Sequence, residues 1–168
     1  MHIHDDSTPR RTIWRAQINW SRELTFSVRQ RRFVRSSVPH ARGVYCIYSK
    51  SHVYDYDMSE TARRRWSRVI YVGSGWLDDR LFAHLTYQSN YTLAGYGVDT
   101  PLAYRYDRIV HSDVHDWPRT VEAGLLTLFE EKFGQLPKAN RRRELLPEIP
   151  IDRLIVQQTS NFNYLARG

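Results

Sequence analysis

Cysteine is almost absent from this chain: Cys46 is the single one among 168 residues, so no internal disulfide can form. That usage fits a reducing compartment and excludes the small disulfide-stapled scaffolds of secreted domains. Long apolar runs are missing as well, and no segment approaches the roughly 20 uncharged residues of a membrane helix. The first residues include His2, Asp5 and Asp6 in place of a basic segment followed by an apolar one, so no secretory signal is expected there. Repeats and low-complexity tracts are lacking too. These absences leave an intracellular, cytoplasmic protein without membrane contact as the expectation. Its length suits one domain with a modest core.

What the chain has in excess is arginine. The formal net charge is +7, and arginine supplies nearly all of the surplus. Its planar fork matches phosphate oxygens better than the point charge of lysine. The balance favours a polyanion, and charge alone does not choose among nucleic acid, an acidic lipid surface and an acidic protein.

Two short apolar runs, residues 43–48 and 69–73, organise the rest. Both are rich in β-branched and aromatic residues and are bounded by turn or charged residues, so each reads as a buried strand. Tyr45 stands two residues after Gly43, and Tyr71 two residues before Gly73. Paired side by side, such strands aim two phenols at one face. A phenol on a core strand needs a partner or a purpose.

Around this centre, residues 1–11 read as a loose tail and residues 12–168 as a single domain. Trp14, Ala16, Ile18 and Trp20 alternate with polar residues, and so do Leu24, Phe26 and Val28, which predicts a β-hairpin or an added sheet edge before the core. A helix over 24–33 is the alternative. Arg29, Arg31, Arg32 and Arg35 surround Phe33 and Val34, as a phosphate-contacting patch or a solvated face. Residues 49–68 form a long insertion in which Arg63, Arg64 and Arg65 precede Trp66. Such a run can track a strand backbone while the indole stacks on a base; the plainer reading is an elaborated hairpin loop.

A helix capped by Asp78 or Asp79 is expected to run to about residue 88, with Leu77, Leu81 and Leu85 towards the core and Arg80 and His84 sharing another face. Residues 102–110 predict a third strand. His111 and His115 are four apart without an evident third ligand, so no zinc site is expected. Asp116 and Pro118 announce a helix over 117–133 that Gly134 ends. Val121, Leu125, Leu128 and Phe129 line its core side, Glu122 lies beside that stripe, and Glu130 and Glu131 read as solvated charge. Residues 154–156 predict an edge strand. The sum is an α/β (α+β) fold, a small mainly antiparallel sheet flanked by helices, with an N-terminal β extension.

The string Gly43-Val44-Tyr45, then Tyr71-Val72-Gly73, then Arg80, His84, Glu122 and, after Leu136-Pro137, Asn140 resembles the GIY-YIG nuclease family over residues 42–140. Valine for isoleucine is a small, volume-tolerant change. Two departures stand out: Ser74 occupies a position where the family commonly has lysine or another polar group, and the turn to Arg80 is a residue short. The resemblance implies a divalent-metal-dependent endonuclease that hydrolyses DNA phosphodiester bonds, of a restriction or defence kind. It implies Tyr45, Tyr71, Arg80, His84, Glu122 and Asn140 as the catalytic set. Glu122 would be the protein ligand of one Mg²⁺ or Mn²⁺, whose other positions water can fill.

Arg80 would then hold the scissile phosphate, and one phenol would activate or position water. With a free pKa near ~10 a phenol needs help to act as a base, which a histidine such as His84 can give. Asn140 would orient the phosphate or brace the site. Arg63, Arg64, Arg65, Trp66, Ser74, Arg141 and Arg142 form the expected nucleic-acid contacts. No small-molecule cofactor is implied, and a double-strand cut from one site per chain needs a homodimer or successive nicks. The alternative, drawn from Ser74 and the shortened turn, is a binding module of the same fold that has lost cleavage. A basic adaptor for an acidic protein or lipid leaves the ordered motif without a role.

Overall fold

The computed structural model describes residues 12–26, 36–56, 66–85, 93, 95–96, 101–111, 113–141 and 153–158. The expected tail, the arginines around Phe33, Arg63 to Arg65, the side chain of Leu85 and Arg142 lie outside the described residues. In chain order the elements are β1 Trp14–Ile18, β2 Leu24–Phe26, β3 Arg42–Ser49, β4 Tyr54–Asp55, β5 Trp66–Ser67, β6 Val69–Trp76, α1 Leu77–Leu85, β7 Leu102–Arg108, α2 Trp117–Phe133 and β8 Leu154–Gln158.

The principal sheet has the order β2-β7-β3-β6 with every pairing antiparallel. β3 sits inside it and is covered on both faces, which is why its sequence is an almost continuous apolar run with no alternation. Of the two expected forms of the N-terminal β extension, a hairpin or an added edge, β2 takes the second. β2 adds to the edge at β7, whereas β1 pairs in parallel with β8 in a separate two-stranded ribbon, Trp14 opposite Leu154 through Ile18 opposite Gln158. A period of two marks a strand and says nothing about its partner. Inside the long insertion, β4 and β5 pair with each other.

Of the two helices described in full, one lies on each face of the principal sheet. Leu77 and Leu81 of α1 pack on Tyr45, Ile47, Ile70 and Tyr104, together with Leu93 from the connection that follows. On the other face Val121, Leu125, Phe129 and Phe133 of α2 pack on Val44, Cys46 and Val72. The ribbon joins this second core, and Leu154 and Val156 lie against Gly124. Eleven of the seventeen α2 residues are therefore buried, more than a single stripe provides. Leu128 is half-buried, as is Glu130, while Glu131 is exposed.

Two helix starts differ from expectation. α1 begins at Leu77, which puts Asp78 and Asp79 inside its first turn, where carboxylates oppose the positive end of the helix dipole. Asp116 precedes α2, but its side chain makes no cap; its carboxylate takes the Arg42 guanidinium, and its carbonyl accepts from the Thr120 N–H. Gly134 ends α2 in the left-handed conformation, as expected.

Candidate active site

Strand register brings the two phenols together. Tyr45 lies opposite Gly73 and Ile47 opposite Tyr71, so both tyrosines project from the face that α1 covers. Their rings stack with centroids 6.0 Å apart. Glycine is required at position 73 by contact: a Cβ there would stand 2.4 Å from the Tyr45 phenol oxygen and 2.5 Å from Cζ. The Tyr45 ring fills the space above Gly73, and this packing fixes its direction. A bulge between Ile47 and Tyr48 puts Ile70 on the same side as Tyr71 and turns Val69 to the other core.

α1 supplies the nitrogen groups. His84 is 1% exposed, and its Nε2 lies 2.8 Å from the Tyr45 phenol oxygen, with the Tyr71 ring edge-on at 4.7 Å. One turn earlier, the exposed Arg80 sets its positive charge beside both phenols. Gly75, at φ 128°, is the last residue but one of β6, opposite Gly43, and a Cβ there would press on Arg80 Cγ at 3.1 Å.

The electrostatics follow from burial. Desolvation holds the Tyr45 phenol well above its ordinary pKa, with the neighbouring Tyr71 adding to the rise and Arg80 opposing it. Tyr71 is raised for the same first reason, then by Glu122, again against Arg80. Both are neutral phenols at pH 7. His84 is pushed down to about 3, by burial first and the Arg80 charge second. A neutral imidazole therefore faces a neutral phenol. Which of the two groups donates in the bond between the Tyr45 oxygen and His84 Nε2 is set by the imidazole tautomer.

Glu122 arrives from the opposite face. It lies on α2, is 6% exposed, and accepts a 2.5 Å hydrogen bond from the Ser74 hydroxyl. Its charge nonetheless raises both phenols. The site thus straddles the β6 strand, with phenols, imidazole and guanidinium on one side and the carboxylate on the other. Asn140 braces this strand: its Oδ1 accepts from the Val72 N–H at 3.0 Å, and its Nδ2 donates to the Val72 carbonyl at 2.8 Å. Next to it the Ala139 N–H bonds the Ile70 carbonyl, so residues 139–140 serve β6 as a substitute neighbour.

Of the expected nucleic-acid contacts, Trp66 on β5 is 44% exposed, Arg141 is exposed, and Ser74 is turned to Glu122. The sequence pointed Ser74 towards nucleic acid and gave it no partner within the protein. Its signal was alternation, since Ser74 must face away from Gly73 and towards whichever helix covers that side. An aromatic pair also went unforeseen: His40 stacks on exposed Trp76 at 4.5 Å and bonds Asp78 at 2.9 Å. His40, Asp78 and Asp79 are the group among the described residues whose metal-capable atoms all lie within 4.8 Å of one another. His111 is packed between Trp14 and Trp117. Among the described residues no helix is long and apolar enough to cross a membrane. No protein-family model, no curated protein and no solved structure matches the chain.

Proposed function

We propose that this chain is a divalent-metal-dependent endonuclease that hydrolyses DNA phosphodiester bonds, built on the GIY-YIG plan. The observation that carries the reading is the convergence of Tyr45, Tyr71, Arg80 and His84 in one side-chain cluster, with the charge of the buried Glu122 carboxylate acting on the same phenols. A structural aromatic cluster has no need of a positive charge held at its edge.

Each residue then has a task. Arg80 binds the scissile phosphate, and its charge opposes the negative charge that develops on the phosphoryl oxygens. Tyr71, the half-buried phenol, meets the attacking water; Tyr45, wholly buried, passes the hydrogen-bond chain to His84. A phosphate bound by Arg80 cancels one of the two causes that hold His84 low, so the imidazole gains basicity when substrate is present. Glu122 fits an Mg²⁺ or Mn²⁺ ligand, being a buried hard oxygen donor whose charge reaches both phenols across β6. The ion would supply neutralisation of the phosphate and help for the leaving oxygen.

Incubation of the protein with supercoiled plasmid tests the reading. Nicked or linear product with Mg²⁺ or Mn²⁺, and none with EDTA, is the expected result. DNA binding without divalent-dependent cleavage would leave the non-catalytic binding module in its place.

A further inference from the structure

We propose that Ser74 is a positioning residue for Glu122, fixing the orientation in which that carboxylate meets a divalent ion; the inference rests on reading Glu122 as the metal ligand. A Glu side chain has three rotatable bonds, and as a lone ligand it binds an ion well only if that freedom is already removed. Ser74 removes it. Its Oγ donates to Glu122 Oε2 at 2.5 Å, within the short range of charge-assisted O–H···O⁻ bonds.

The placement comes from the backbone. Val44 pairs with Ser74 in the β3–β6 register, and Val44 belongs to the core beneath α2. Strand alternation therefore delivers the Ser74 hydroxyl to the face where Glu122 descends, while Gly73 beside it serves the phenols. One strand step thus couples the two halves of the site. Carboxylates that hold metals are themselves usually hydrogen-bonded, and loss of such a partner typically weakens metal binding. A lysine here would set a permanent positive charge beside the carboxylate and compete with the ion, whereas a serine hydroxyl orients without neutralising.

The plainer role, a hydroxyl that merely satisfies a buried carboxylate, predicts a lower melting temperature and an unchanged ion affinity. Titration of the full chain with Mn²⁺, followed by electron paramagnetic resonance, separates the two. Wild type, S74A, S74T, S74C and E122Q are compared, with thermal melts recorded alongside. The expected result is loss of the Mn²⁺ site in E122Q, affinity weakened about 10–100-fold in S74A, and near wild-type affinity in S74T. S74C keeps the volume with a weaker donor and should fall between; it carries the test should S74A melt too low to titrate. In cleavage, S74A should need correspondingly more Mn²⁺ and recover its rate at saturation. Unchanged affinity in S74A and S74C, with affinity lost in E122Q, overturns the role of Ser74 and leaves the metal reading standing. Wild-type affinity in E122Q removes the metal reading and this inference with it.

Discussion

Replacing His84 with glutamine removes a titrating group from the centre of the site while keeping a neutral hydrogen-bonding side chain near Tyr45. His84 is 1% exposed, and its pKa is lowered from an ordinary 6.5 to about 3. The unfolded chain accepts a proton on this ring that the folded chain refuses, so stability rises with pH between those two values and is flat above them. The contribution is complete above pH 6.5 and is lost progressively as pH falls towards 3. From pH 7 to pH 5 the linkage relation gives a loss of about 2 kcal/mol for this one group. Glu23 and Asp78, whose pKa values are lowered from 4.5 and 3.8, lose their contributions at lower pH, which leaves this window to the imidazole. Urea unfolding of wild type and H84Q at pH 5, 6 and 7 measures the effect. Wild type should lose about 2 kcal/mol more than the variant across that interval. Equal pH slopes would refute the burial of a neutral His84 against Tyr45.

Gly73→Ala places a methyl group at 2.4 Å from the Tyr45 oxygen, and overpacking of this kind costs about 1–3 kcal/mol; a thermal melt should show a drop of several degrees, and an unchanged Tm would contradict the contact. Asn140→Ala orphans the N–H and C=O of Val72 on the outer side of β6. That loss should cost about 2 kcal/mol, or about 4–8 °C in Tm, with DNA affinity nearly unchanged. A large fall in affinity at unaltered Tm would instead make Asn140 a substrate contact.

The elements that were legible in the sequence are those whose pattern is local. α2 was readable from Pro118 to Gly134 because its cap, stripe and stop are all written within one turn of their effects. β3 and β6 were readable as apolar runs bounded by glycine and charge, and the side-by-side pairing under which Tyr45 and Tyr71 share a face is the one they form. The partner of β1 was not readable, because a parallel pairing with β8 joins segments almost a chain length apart and leaves no trace in the period of either. The side-chain partner of Asp116 was not legible for a related reason: a carboxylate at a helix start can take a distant donor, and here it takes Arg42. In the site, the shared face of the phenols and the helical spacing of Arg80 and His84 were visible. The link from Ser74 to Glu122 was not, since it depends on which helix lies over which face of β6.

Single-turnover cleavage of a labelled DNA duplex by wild type, R80A and E122Q, with DNA binding measured in parallel, is the most direct test of the proposed site. The prediction is that E122Q binds DNA nearly as wild type does, that R80A binds more weakly, and that both cleave at least about a hundredfold more slowly. Cleavage by either variant at the wild-type rate would contradict the claim that these groups, drawn together across β6, form one phosphodiester-cleaving site.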